Sequence, residues 1–180
     1  MRKYILGVLV TVVVVGIIVL AERSWRVNRP IPNVSQAEGQ SLPIDIKFRS
    51  FPAKEEVSFE KFKGKVLVIN FWASWCEACM AEMPSIQKLY DTLKSEGLEV
   101  LAINVDENPD KVVPHIVSKL GLSFPVFTDA GGELASAFEV VAIPFSVVTD
   151  REHKIVWSES GERDWASEGV MAEIRKLLKN

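Results

Sequence analysis

The sequence predicts an α/β fold in which helices pack against a central mixed β-sheet, and three observations predict it. The runs Lys65–Trp72 and Leu98–Val105 are apolar almost throughout, as strands covered on both faces are. Each leads into a segment whose apolar residues recur at helical spacing, and strand–helix alternation of this kind builds parallel strand pairs. Late in the chain, Phe145–Thr149 and Lys154–Trp157 follow one another before a terminal amphipathic stretch, which adds an antiparallel hairpin.

The first element lies outside that domain. Tyr4–Ala21 is an uncharged stretch of 18 residues. As a helix it is about 27 Å long, close to a hydrocarbon core. Residues 1–21 are read as a transmembrane anchor or uncleaved signal, because the apolar run exceeds an ordinary signal-peptide core; Val19-Leu20-Ala21 leaves cleavage after Ala21 open. Arg2 and Lys3 precede the run, and Glu22, Arg23, Arg26 and Arg29 follow it, so charge alone chooses no orientation. No cysteine follows directly, which excludes lipoprotein attachment. Residues 22–41, with Pro30, Pro32, Asn33, Ser35 and Gly39, have no sustained period and read as a linker. The remainder, residues 42–180, is the size of one domain. From residue 36 onward there are 16 Lys and Arg against 23 Asp and Glu, a net charge of −7. A nucleic-acid partner would want a basic face, so that class is excluded.

Within the domain, Leu42–Phe48 alternates apolar and polar residues and Val57–Phe59 is a second short β segment, which together predict an N-terminal hairpin. Lys65–Trp72 is the central strand. Cys79–Lys94 carries Met83, Ile86, Leu89, Tyr90 and Leu93 on one helical face. Leu98–Val105 is the second buried strand, and Asp110–Leu120 a helix stopped by Gly121. Phe124–Phe127 is a short strand and Glu133–Phe138 a short helix. The late hairpin follows, and Asp164–Leu178 closes the chain as a helix.

Cys76 and Cys79 are the only two cysteines, placed directly behind the central strand. The same spacing occurs in zinc sites, but these need four ligands, and His115 and His153 are separated from the pair and from each other. A purely structural disulfide at this spacing closes too short a loop to stabilise the fold much. Thiol–disulfide exchange remains. Cys76, at the start of the predicted helix, meets unpaired N–H groups and the positive end of the helix dipole, which favour its thiolate and make it the attacking thiol. Cys79, one turn in, is the shielded resolving thiol.

The run Asn70-Phe71-Trp72-Ala73-Ser74-Trp75-Cys76-Glu77-Ala78-Cys79, with Pro84 five residues on and Ala142-Ile143-Pro144 before a strand, resembles the membrane-anchored thioredoxin-like proteins of the TlpA/ResA/CcmG type. The resemblance extends from about Gly39 to the C-terminus. It implies a thioredoxin-like fold with an N-terminal β-hairpin and an inserted strand–helix unit over Leu98–Phe127. It further implies an extracytoplasmic thiol–disulfide oxidoreductase with no cofactor beyond its redox-active disulfide and no metal. The implied substrates are exported proteins such as apocytochrome c, reduced at their haem-attachment cysteines, and a membrane protein would supply the electrons.

By the same resemblance Ile143-Pro144 is a cis-proline loop lying against the dithiol, where Ile143 could pair with a substrate strand. Pro84 bends the active-site helix, and Trp75 shapes an apolar landing surface. Thioredoxins proper carry a buried aspartate where this chain has Asn70, so the proton acceptor for Cys79 must come from elsewhere. Glu77 and Glu107 are the expected acids, with Asp106 in reserve if the second strand ends one residue early. Ala78 replaces the family's usual proline and restores an N–H near Cys76, favouring an oxidant, whereas ionised Glu77 opposes the thiolate and favours a reductant. Other readings are a disulfide-forming or isomerising enzyme and a Cu(I) metallochaperone. Met80 and Met83 are better read as core than as copper ligands. A peroxidase would need Ser or Thr where Ala73 stands.

With the anchor retained, the domain should lie outside the cytoplasm, where disulfides persist. Protease applied to spheroplasts should then remove the domain and leave a membrane stub, and protection until lysis would refute this topology.

Overall fold

The computed structural model describes residues 38–180 apart from residue 130. The predicted anchor, residues 1–21, and the linker as far as residue 37 lie outside the described residues. Among those described, no helix is long and apolar enough to cross a membrane.

Among the described residues, seven strands, β1 (Phe48–Phe51), β2 (Glu56–Val57), β3 (Val66–Trp72), β4 (Leu98–Asn104), β5 (Val126–Thr128), β6 (Phe145–Thr149) and β7 (Ile155–Ser160), form one sheet in the order β2-β1-β5-β4-β3-β6-β7. β3, β4 and β5 run parallel, while β6, β7 and the β1–β2 hairpin are antiparallel to their neighbours. Among the described residues, four α-helices, α1 (Glu77–Leu93), α2 (Pro109–Leu120), α3 (Glu133–Ala137) and α4 (Glu168–Lys179), complete the α/β fold expected from the sequence. The strand–helix unit of β4 and α2 is present between α1 and β5.

All seven residues of β3 are buried, and they alternate between two cores. Val66, Val68 and Trp72 join Met83, Ile86, Leu89 and Leu93 of α1, with Val113 of α2 and Ile174 of α4. Leu67, Ile69 and Phe71 face Phe48, Phe59, Phe62, Phe127, Leu134 and Phe145 on the other side. A period of two on a strand buried on both faces gives this division.

Several boundaries differ from expectation, and three of the differences have a cause in the chain's own contacts. The first hairpin strand is Phe48–Phe51 and not Leu42–Phe48, because Pro43 lacks an N–H and Ile46 N turns back onto Pro43 O at 3.1 Å. Phe59, expected in the second strand, opens a 3₁₀ turn that buries Phe59 and Phe62. The last helix starts at Glu168 and not Asp164, because the backbone N–H groups of Arg163 and Trp165 bond side chains of α1. At the domain entrance, Gly39 N donates to Ile155 O and Ile155 N to Gln40 O, each at 2.8 Å, so the end of the expected linker joins the margin of β7.

Leu89 is fully buried between α1 and the sheet, whereas Ile44 is exposed. Leu89→Ala should lower the unfolding free energy by about 2–5 kcal/mol, and Ile44→Ala should stay within about 0.5 kcal/mol of the parent in urea melts.

Candidate active site

β3 ends at Trp72, and a short loop carries the chain to Cys76, the N-cap of the 17-residue helix α1. Cys76 N donates to Ala73 O at 3.2 Å, which tightens the loop, and Met80 N donates to Cys76 O at 3.1 Å, which starts the helix. Cys76 and Cys79 are joined in a disulfide with Cα atoms 5.2 Å apart. The Cys76 sulfur also accepts the Cys79 backbone N–H at 3.2 Å, so a helix-terminal N–H already points at the sulfur on which charge would develop. Cys76 keeps 8% of its surface exposed and Cys79 none, which leaves Cys76 as the sulfur that can be reached. The neighbouring Trp75 is 72% exposed.

A buried carboxylate holds the loop in place. Asp106 accepts from Ser74 N and Ser74 Oγ, both at 2.9 Å, and from Asn104 Nδ2 at 2.7 Å. Its own N–H returns to Asn104 Oδ1 at 3.2 Å. β4 ends at Asn104, one residue before the expected Val105, and Asp106 is the acid that touches the redox loop. Glu107 lies exposed in the bend before α2, and Glu77 lies exposed on the first turn of α1.

The Ile143–Pro144 peptide is cis. Pro144 leads into β6, whose Phe145 is in register with Phe71 of β3, so the loop stands at the same end of the sheet as the cysteines. Gly161 N donates to Pro144 O at 2.9 Å and ties the loop to the end of β7. Ile143 is half-buried against both cores, and Val141 beside it is 67% exposed.

A further acid escaped the sequence reading. Glu82 stands one turn beyond Cys79 on α1 and is buried. Its Oε1 accepts from Asn70 Nδ2 at 2.8 Å, and its Oε2 accepts from Arg163 N and Trp165 Nε1, each at 3.2 Å. Asn70 Nδ2 also donates to Ser146 Oγ at 2.9 Å, which links β3 to β6. Burial pushes the Glu82 carboxyl above its usual range; hydrogen bonds from Asn70, Trp165 and the Arg163 N–H oppose the rise, and the charge of Glu162 adds to it. The signal was present in the spacing: Cys79, Glu82, Met83 and Ile86 form one buried stripe of α1, and a carboxylate in an apolar stripe requires internal partners. Among the described residues no group of three or more His, Cys, Asp and Glu side chains is arranged to hold a metal ion. The arrangement offers a reachable sulfur at a helix terminus, a second sulfur shielded behind it, and a buried carboxyl with a raised pKa one turn further along the helix.

The Redoxin family model matches residues 27–174. The thiol-disulfide oxidoreductase ResA of Bacillus thuringiensis subsp. konkukian is 36% identical over 109 residues, covering 61% of this chain and 62% of the relative. The chain thus spans about three fifths of that relative's length. ResA of Halalkalibacterium halodurans is 31% identical over 125 residues, 69% of either chain. Among solved structures, a secreted thiol-disulfide isomerase from Corynebacterium glutamicum superposes with a TM-score of 0.68 at 26% identity, covering 76% of this chain and 84% of that one.

The raised pKa of Glu82 makes stability depend on pH. A carboxyl whose folded-state pKa exceeds its ordinary value of 4.5 supports the fold fully below that value, and the support is lost as pH rises through the folded-state pKa. Glu82→Gln removes this dependence. The unfolding free energy of the parent relative to Glu82→Gln should therefore fall as pH rises above about 4.5, when urea melts are compared across pH; parallel curves would contradict the assignment.

Proposed function

The chain belongs to the Redoxin family, and from that membership we propose that it is a membrane-anchored, extracytoplasmic thiol–disulfide oxidoreductase that reduces disulfides in exported proteins such as apocytochrome c. The observation that carries the reading is the Cys76–Cys79 disulfide at the N-terminus of α1, with only Cys76 reachable from solvent. The similarity to ResA proteins supports the reaction class. The uncharged stretch Tyr4–Ala21 supports the location.

The reaction begins from the reduced dithiol. The Cys76 thiolate, favoured by the helix terminus, attacks one sulfur of the substrate disulfide. A Cys76–substrate disulfide forms, and the other substrate sulfur leaves as a thiolate that takes a proton from water. Cys79 then gives its proton to the Glu82 carboxylate and attacks the Cys76 sulfur. The mixed disulfide breaks, the second substrate sulfur leaves as thiolate, and the Cys76–Cys79 disulfide remains. Two electrons have passed to the substrate, and a membrane dithiol protein restores them by the reverse exchange. Burial favours Glu82 for the proton step, because a carboxyl with a raised pKa is closer to that of a thiol than an ordinary surface glutamate is. Trp75, next to Cys76 in the chain, and Ile143 with Pro144, at the same end of the sheet, are the residues proposed to receive the substrate chain. Glu77 and Glu107, both exposed, are proposed to tune the field around Cys76 without taking the Cys79 proton.

Cys79→Ser should accumulate a mixed disulfide on Cys76, because attack proceeds and resolution cannot, while Cys76→Ser should abolish reductase activity. Non-reducing electrophoresis with mass spectrometry of the trapped species checks both. Trapping by Cys76→Ser alone would reverse the order of the two thiols.

A further inference from the structure

The loop between β7 and α4 packs over the buried carboxylate of Glu82 with contacts that a mere connection does not need. Trp165 is fully buried and donates its indole N–H to Glu82 Oε2, the oxygen that also takes the Arg163 N–H. One turn along α1, Ser85 Oγ accepts the Trp165 backbone N–H at 3.0 Å and donates to Glu82 O at 2.8 Å. The hydroxyl thus stitches the loop to the helix. The Arg163 guanidinium turns away to the Glu159 carboxylate and lies 5.9 Å over the Trp165 ring. Glu82 therefore receives only neutral donors. A guanidinium on it would pin the carboxylate ionised, whereas N–H dipoles steady the charge and leave the group able to take a proton.

We propose that Trp165 is a positioning residue for the dithiol chemistry: its indole N–H, together with the Arg163 N–H, holds Glu82 Oε2, and the loop thereby sets the pH range over which the mixed disulfide is resolved. The proposal rests on Glu82 receiving the Cys79 proton. The groups facing Glu82 are Asn70 from β3, Ser146 through Asn70 from β6, and from the loop the Arg163 N–H, Trp165 and the like charge of Glu162, while Cys79 stands one turn before it on the same buried stripe of α1. Glu159, at the end of β7, is engaged by Arg163. Only Trp165 among these contributes a side-chain donor that can be removed while an aromatic ring still fills the core. Its loss leaves burial less opposed, so Glu82 keeps its proton to higher pH.

The test uses the full chain in its reduced form, with the Glu82 carboxyl carbon followed by NMR and the reduction of a disulfide peptide followed across pH. In Trp165→Phe the Glu82 titration and the acid limb of the rate profile should both move to higher pH, and the rate on that limb should fall about tenfold, the effect of one hydrogen bond to a charged group. Leu178→Ala, which weakens α4 at a distance from Glu82, should lower stability and move neither curve. A Glu82 titration that superimposes on the parent would overturn the proposal. A shifted titration with an unshifted rate profile would overturn the proton-acceptor reading, and the proposal with it. Should Trp165→Phe not fold, the Trp165 indole N–H resonance of the parent is decisive. It should follow the Glu82 titration and lose that response in Glu82→Gln, and a resonance indifferent to pH would overturn the proposal.

Discussion

Burial of β3 on both faces is the constraint from which the rest of the structure follows. Its seven residues divide between two cores, so the strand can neither slide nor rotate without exposing one set. A one-residue slip would carry Asn70 from the α1 side to the opposite, aromatic core and break its contacts with Glu82 and Ser146. The loop that follows inherits this rigidity. Val105 N donates to Trp72 O at 3.0 Å, and Asp106 takes both donors of Ser74, so the path from the strand to Cys76 is tied to β4 at two points. The dithiol is thus presented by the best-determined part of the sheet, which suits chemistry in which the attacking sulfur must meet a disulfide in line.

Two buried carboxylates serve this site in different ways. Asp106 reaches across the ends of two parallel strands and spends its lone pairs on holding a loop. Glu82 is surrounded by an amide, an indole and a backbone N–H, with no cation bound to it, and burial raises its pKa. One acid fixes geometry; the other is proposed to exchange a proton. The same polar contacts that satisfy Glu82 also hold α1 to β3 and to the C-terminal loop, so the stability of this corner and its proton chemistry share the same hydrogen bonds.

Access is divided just as sharply. Trp75 and Val141 carry large apolar side chains that no core absorbs, and in sequence they lie beside two elements at the same end of the sheet, the N-terminus of α1 and the cis-proline loop. Cys79 behind them is sealed. Solvent therefore reaches one sulfur beside an exposed tryptophan, while the second sulfur and the Glu82 carboxyl, whose pKa burial raises, are buried.

The sequence by itself determined the α/β class, the central strand, the helix that begins at the cysteines and the pairing of those cysteines, because each is a local pattern: apolar runs, helical spacing, and two thiols three residues apart. The cis Ile143–Pro144 bond was legible only through the family resemblance that the cysteine pair brought with it, since a proline before a strand is otherwise expected to be trans. What lay beyond one dimension was the identity of the acids. Asp106, and not Glu107, touches the redox loop because β4 ends at Asn104, a boundary set by pairing with β3 and β5 and invisible in the apolar run. Glu82 looked like an ordinary helix glutamate until Asn70, 12 residues before it, and Trp165, 83 residues after it, were brought to its two oxygens. Likewise the last helix begins at Glu168 only because the residues before it bond Glu82 and Ser85 in place of their own helix. Local pattern decides which faces are buried; the partners of a buried charge come from distant parts of the chain, and only tertiary packing chooses them.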